Sequence, residues 1–436
     1  MKIKWKNKSY EKVMNIPRPK HKKPLKQGLF WRILLRLVSI PDLLATRFRV
    51  NKIGMEKLGK KEPALILMNH SSFIDLKIAS TLLFPRRFNV VCTSDGFVGM
   101  NWLMRQLGCI STKKFIFDLS LVRDMVYTVK TLKSSVLLYP EASYSFDGTA
   151  TPLPESLGQC IKMLGVPVVM IETHGAFARQ PLYNNLKKRK VQVTADMKYL
   201  LSPEEIQEKT AEEINEILSR AFSFDAFAWQ KENRVQIDEP YRAESLSRVL
   251  YKCPACKQEN GMRSIGTEIF CKSCGKQYHM DEYGQLHATV GETEFEHIPD
   301  WYAWERAEVR RELENGTYLL DCDVEIYMLV DTKTLYRVGN GHLRHDTNGF
   351  TLVGCDGKLN YTQKPLASYS LYADFYWYEM GDVICIGNQN ELYYCFPEAE
   401  GDLVAKTRLA TEELYKITKA QKADRRRKVS FDTCQT

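Results

Sequence analysis

The run Met68-Asn69-His70-Ser71-Ser72-Phe73-Ile74-Asp75 sets a histidine five residues ahead of an aspartate, directly after a short apolar stretch. An imidazole serves as a general base near neutral pH when a carboxylate fixes its tautomer and stabilises the imidazolium that forms. Ala64 to Met68 reads as a buried strand and Ile74 to Leu83 carries helix-spaced apolar residues, which puts His70 on the turn between them. In a continuous helix five residues would turn the two side chains about 140° apart, so they meet only if His70 precedes the first helical turn. Ser71 or Ser72 is the expected cap of that helix.

A second chemical spacing lies far downstream. Cys253-Pro254-Ala255-Cys256 is followed after fourteen residues by Cys271-Lys272-Ser273-Cys274-Gly275. Two C-x-x-C knuckles bring four thiolates within tetrahedral reach of one Zn²⁺, and Gly275 suits the tight turn after the second knuckle. With all four positions thiolate the site is closed, hence structural. The pattern resembles a rubredoxin-like zinc ribbon.

The elements that must position these groups follow from the rest of the chain. Its 436 residues and 12 cysteines come without an early apolar signal run, which points to several domains in a reducing compartment. The net charge of +9 is local: residues 1–27 hold Lys2, Lys4, Lys6, Lys8, Lys12, Arg18, Lys20, Lys22, Lys23 and Lys26 against Glu11 alone, leaving the remainder balanced. Such an arm suits an anionic surface, and a content of nearly all Lys with only Trp5 and Tyr10 fits lipid better than base stacking. Gly28 to Ile40, ended by Pro41, is too short to span a bilayer but reads as an interfacial helix, with Arg32 and Arg36 directed at lipid phosphates. From Asn51 to Phe222 short apolar runs (Ala64 to Met68, Asn89 to Thr93, Val136 to Tyr139, Pro167 to Ile171, Val191 to Thr194) alternate with helical segments, among them one capped by Asp118. This is α/β organisation. Tyr139-Pro140-Glu141-Ala142-Ser143 follows a strand, where a sheet presents functional side chains, and Arg105, Lys113 and Lys114 form a basic block able to neutralise a phosphate.

In order, Asn69 to Asp75, the Gly99 to Lys114 block, Tyr139-Pro140-Glu141 and Gly165-Val166-Pro167-Val168-Val169 resemble the four blocks of the 1-acylglycerol-3-phosphate acyltransferase family, over roughly residues 45 to 222. The resemblance implies transfer of a fatty acyl group from an acyl-CoA or acyl-carrier-protein thioester to a lysophospholipid hydroxyl at a membrane surface. It implies His70 as general base, Asp75 as its orienting partner, Glu141 and Ser143 at the acceptor, and Arg105, Lys113 and Lys114 at phosphate. A thioester is already activated, which agrees with the lack of a G-x-S-x-G nucleophile elbow. Two departures bear on the acceptor. Where the family's third block runs Pro-Glu-Gly-Thr-Arg, this chain has Pro140-Glu141-Ala142-Ser143-Tyr144, without the Gly and the Arg, and Lys113 or Lys114 replaces the arginine of the second block. The acceptor is thus lysophosphatidic acid, another lysolipid or a glycolipid hydroxyl.

The chain divides into a basic arm (1–27), an interfacial helix region (28–50), the α/β acyltransferase domain (51–222), a linker (223–249), the zinc ribbon (250–285), a linker with a helix around Trp301 and Trp304 (286–317), a β-rich domain with a C-terminal helix (318–422) and a basic tail, Arg425 to Lys428 included (423–436). In the β-rich part Val324, Ile326, Met328 and Val330 alternate with polar residues, and Asn340-Gly341, Asn348-Gly349 and Asp356-Gly357 are hairpin signals. Strands closed by one helix look like a pleckstrin-homology-type barrel. The expectation is a cytoplasmic enzyme, peripheral on the inner face of the membrane. A catalytically inactive scaffold binding nucleic acid or lipid through its ribbon and basic arms is the alternative from a different class.

Overall fold

The computed structural model describes residues 2–116, 118–398 and 401–433, with side chains as far as Arg427. Seven strands among them form the first sheet, in the order 49–53, 194–201, 168–174, 65–68, 135–138, 88–93, 109–112. All neighbours are parallel except Val168–His174 against Thr194–Leu201. Leu65–Met68 is central and entirely buried, as four consecutive apolar residues require when helices cover both faces. The last strand begins at Thr194, not Val191. Val191 and Val193 are buried in the approach to it, so their apolar character marks core without a ladder.

The helix expected to stop before Pro41 runs Leu29–Ala45 with Pro41 inside. An internal proline costs about 3 kcal/mol. Here Leu43 is buried one turn on, and Asp42 is held by Lys77 and by Arg179 at 3.0 Å, so tertiary anchoring carries the helix through. Arg32 and Arg36 each have a partner on the protein. Arg32 donates to the Pro85 carbonyl and Arg36 lies 4.5 Å over the Phe84 ring.

Nor is the basic arm a free tail. Trp5–Asn7 adds a parallel strand to Leu335–Asp346, and Val13 of the helix Tyr10–Met14 is fully buried. The segment 223–249, read as a linker, is also folded, and the helix expected around Trp301 and Trp304 is present. Asp225 caps the helix Ala226–Glu232 with two amide bonds, Ile237 and Leu246 are buried, and Leu286–Ala288 and Ile298–Glu314 form a strand and a helix carrying the buried Trp301. The tail continues the helix Leu403–Thr433, exposing Arg425, Arg426 and Arg427, while the side chain of Lys428 lies outside the described residues.

Four short antiparallel strands (262–265, 268–271, 277–280, 286–288) carry the cysteine knuckles. The C-terminal sheet has the order 359–363, 349–354, 335–346, 320–329, 392–397, 381–387, 372–377, two antiparallel meanders joined by their first and last strands. Val324, Ile326 and Met328 face its core as their alternation requires. Asn340-Gly341 is not a turn; it sits inside the strand Leu335–Asp346. Gly341 is needed there because a Cβ would come within 2.4 Å of the Val353 carbonyl and 2.6 Å of Ile326.

His345 of this sheet is buried, stacked on Phe350 at 3.8 Å and bonded to the Tyr318 hydroxyl at 3.0 Å. Burial pushes its imidazole down to about 3. A histidine kept neutral in the fold but protonating near 6.5 when unfolded stabilises the protein above pH 6.5 and loses that contribution as pH falls toward 3. By pH 4 the loss is about 3 kcal/mol. His345→Gln is therefore expected to flatten the acid side of a plot of urea midpoint against pH. An unchanged slope between pH 4 and 6.5 rules this source out.

Candidate active site

Because Leu65–Met68 and Ser135–Leu138 are adjacent and parallel, the loops leaving their C-terminal ends lie side by side. The first carries His70 and the second Tyr139 to Tyr144. Asn69, fully buried, ties the first loop to a third strand by accepting from the Thr173 amide at 2.8 Å and donating to the Thr173 carbonyl at 3.2 Å. The helix that follows starts at Asp75, and neither Ser71 nor Ser72 caps it. Asp75 reverses the expectation, its Oδ2 accepting from the amides of Ser71 and Ser72 at 2.8 and 3.0 Å. The same oxygen lies 3.2 Å from His70 Nδ1. With that ring nitrogen facing a carboxylate, Nε2 is left to accept a proton.

Two side chains that the spacing argument missed hold the imidazole. Tyr139 stacks on it at 4.3 Å between centroids and Tyr144 at 3.9 Å, which at such distances requires opposite faces. The ring is thereby clamped with only its edge available. The negative faces of the two phenols also favour an imidazolium once it forms, an effect of about 0.5–2 kcal/mol. Their signal in the sequence was their membership of the Tyr139 to Tyr144 block.

Glu141 is not an acceptor-contacting group. It is fully buried and its oxygens are taken by the His70 amide at 2.9 Å and by the Thr151 amide and hydroxyl at 2.8 and 3.1 Å, so it stitches the two loops together. Burial pushes its carboxyl up to about 7, against those hydrogen bonds. Ser143 is buried as well and accepts at 3.2 Å from Arg408 of the C-terminal helix, which also donates to the Tyr144 carbonyl at 3.2 Å. Arg408 thus supports the loop that bears Tyr144 from 264 positions away in the chain. Ala142 occupies the left-handed region at φ 55°. An L-residue pays about 1–2 kcal/mol there and glycine does not. Ala142→Gly is expected to stabilise the protein by about 1 kcal/mol, read as a higher urea midpoint; a lower midpoint would contradict the strain.

His70, Tyr139 and Tyr144 border a cavity of about 1080 Å³. Its floor comes from the α/β domain, including Val91, Leu121, Met125 and Leu157, and its roof from Tyr372 to Tyr378 of the C-terminal sheet. Lys113 and Lys114 line it. Lys113 donates to the Gln389 carbonyl, and Lys114 sits 3.7 Å from Asp374 and 4.0 Å over the Tyr372 ring. Arg105 is elsewhere. It donates to the carbonyls of Lys22 and Lys23 at 3.3 and 3.0 Å, fastening the N-terminal segment.

The cysteine knuckles converge as their spacing requires. The Sγ atoms of Cys253, Cys256, Cys271 and Cys274 all lie within 4.8 Å of one another, with Cys253 to Cys274 and Cys256 to Cys271 at 3.7 Å. Four sulfurs at 2.3 Å around a tetrahedral Zn²⁺ stand about 3.8 Å apart, so the donor set fits that ion. The knuckles repeat one geometry. Lys257 and Gly275, each following the second cysteine of its pair, adopt φ 65° and 76° and donate amides at 2.9 Å to the Cys253 and Cys271 carbonyls.

Residues 49–172 match the family model described as Acyltransferase. No curated protein matches the chain. Among solved structures it is similar to the 1-acyl-sn-glycerophosphate (LPA) acyltransferase PlsC from Thermotoga maritima, at 16% identity and a TM-score of 0.33, covering 44% of this chain and 78% of that one. The turn that carries His70 and Asp75 lies within the matched segment, and residues 49–172 are a domain of the acyltransferase family.

Proposed function

We propose that the protein moves a fatty acyl group from an acyl-CoA or acyl-carrier-protein thioester to the hydroxyl of a lysolipid at a membrane surface, with His70 as general base. The observation that carries this reading is the His70 to Asp75 pair set at the edge of a cavity large enough for an acyl chain. The acceptor O–H gives its proton to Nε2 while its oxygen attacks the thioester carbonyl. Collapse of the tetrahedral adduct breaks the C–S bond, and the imidazolium returns the proton to the departing thiolate. Asp75 holds the tautomer, and the two tyrosine faces stabilise the cation between these steps.

The membrane reading rests on the helix Leu29–Ala45. No helix among the described residues is long and apolar enough to cross a membrane. This one nevertheless leaves Phe30, Leu37, Val38 and Leu44 exposed, beside Trp102, which packs edge-on against Trp31. A contiguous apolar patch of this kind suits shallow insertion between headgroups. The exposed Lys20, Lys22, Lys23 and Lys26 on the adjoining segment would strengthen attachment to an anionic, cytoplasm-facing leaflet. The four thiolates would hold one structural Zn²⁺. The strand order of the C-terminal sheet and its closing helix support the pleckstrin-homology-type reading.

The test is release of free thiol from acyl-CoA or acyl-carrier-protein, with and without lysolipid in anionic vesicles. Acceptor-dependent release of one thiol per acyl ester formed supports the reading. Absence of release with every donor and acceptor would return the scaffold alternative.

A further inference from the structure

The roof of the cavity says what kind of acceptor it takes. Tyr372, nearly fully buried, donates from its hydroxyl to Asp95 at 2.9 Å and accepts from the Trp377 indole at 2.9 Å, so the C-terminal sheet is fixed over the α/β domain at the cavity itself. Charge there is the reverse of a phosphate site. A phosphate monoester carries nearly two negative charges and is held by cations with hydrogen atoms to spare. The lining cations each face a protein partner: Lys114 lies 3.7 Å from Asp374, Lys416 pairs with Glu413 at 2.7 Å, and Lys113 donates one N–H to the Gln389 carbonyl. Among the described residues five carboxylates line the wall against three lysines, Asp95, Asp118, Glu155, Asp374 and Glu379, of which Asp95 accepts from Tyr372, Asp118 from Ser120, and Glu155 pairs with Lys419.

One polar group asks for a different ligand. Asp374 lines the cavity with 6% of its surface exposed, and its Oδ1 has no hydrogen-bond donor in the protein. The hydroxyl of Tyr139, on the wall beside His70, is likewise buried without a partner. A buried carboxylate oxygen left without a donor is costly, and a ligand that brings O–H groups removes that cost. Tyr376, Tyr378 and Glu379, at φ 50°, 47° and 65°, belong to the bulge and turn joining the strands 372–377 and 381–387. The surface there is aromatic, with Tyr372 and Trp377 behind it. Aromatic faces carry negative charge and accept the C–H faces of a sugar ring.

We propose that the acyl acceptor has an uncharged, hydroxyl-rich headgroup of glycosyl type, seated between Asp374 and the aromatic roof with one hydroxyl at His70 Nε2. Asp374 is then a specificity-determining residue. The proposal rests on reading His70 as the base for acyl transfer, so its test begins with binding, which needs no turnover. His70→Ala protein is titrated with a monoacyl glucosylglycerol and with 1-acylglycerol-3-phosphate of the same chain length, each in phosphatidylcholine vesicles, following tryptophan fluorescence. The glycolipid is expected to bind at least about tenfold more tightly. Asp374→Ala in the same background should weaken it about tenfold and, by releasing Lys114, leave the phosphate ligand unchanged or tighter. Equal or tighter binding of the phosphate ligand by His70→Ala protein overturns the proposal, whatever the second variant does. Selective glycolipid binding combined with a wild-type protein that acylates no acceptor would remove the transfer reading and leave the headgroup assignment supported.

Discussion

His70→Ala is expected to lower kcat for acyl transfer by about 10² to 10⁴, the usual worth of a positioned general base, with little change in KM for the thioester. The split follows from where the side chain acts. The cavity walls that would hold the acyl chain come from other residues, whereas the proton of the acceptor has its route through the imidazole edge. The fold should survive, because the loop is held by Asn69, Glu141 and Asp75 through backbone groups that the substitution does not touch. Far-UV circular dichroism and the urea midpoint check this beside the thiol-release assay. A variant that keeps full kcat with an intact fold sinks the role assigned to His70.

Loss of the four-thiolate cluster is the second large effect expected. Structural zinc is worth about 10–16 kcal/mol in isolated zinc-finger peptides. Here the knuckles are continuous with the rest of the core. The Lys252 amide donates to Glu305 at 2.8 Å, and the indole of Trp301 donates to the Lys252 carbonyl at 3.0 Å, which sets the first knuckle on the helix Ile298–Glu314. That helix joins the C-terminal helix through Arg306 and Glu412 at 2.7 Å, and Arg408 of the latter reaches the Tyr144 loop. Disturbance at the knuckles is thus passed to the shelf beneath His70. Wild-type protein should carry one zinc per chain by elemental analysis. Cys271→Ala should carry none, and its first thermal transition should fall by about 10 °C or more. Acyl transfer should fall with it. Wild-type protein without zinc, or a Cys271→Ala variant with unaltered melting, would dispose of the structural-metal reading.

Much of this is legible in the sequence. The strand Leu65–Met68 and the turn after it were visible because consecutive apolar residues and a helical period are local signals. The zinc-type cluster was legible because two C-x-x-C knuckles each close on themselves. The misreadings share a cause. Pro41, the stretch 225–247 and the basic arm look like breaks when taken alone, and each is held by distant partners: Asp42 by Arg179, Ile237 by the buried core around it, and Trp5–Asn7 by Leu335 to Arg337. Glu141 was singled out at a strand end as an acceptor group, but only the path of Thr151 shows that its oxygens are used within the protein.

By itself, then, the sequence determined the chemistry of the site: a histidine and an aspartate at the end of a buried strand, and four thiols in two knuckles, since spacing along the backbone sets which side chains a short loop can bring together. Only the tertiary structure decided what surrounds that chemistry. The clamp of Tyr139 and Tyr144, the support from Arg408 and the roof from Tyr372 to Tyr378 bring together groups up to a few hundred residues apart. No local pattern encodes such contacts, because they arise when the α/β sheet and the C-terminal sheet, each with its own core, pack together and close a cavity between them.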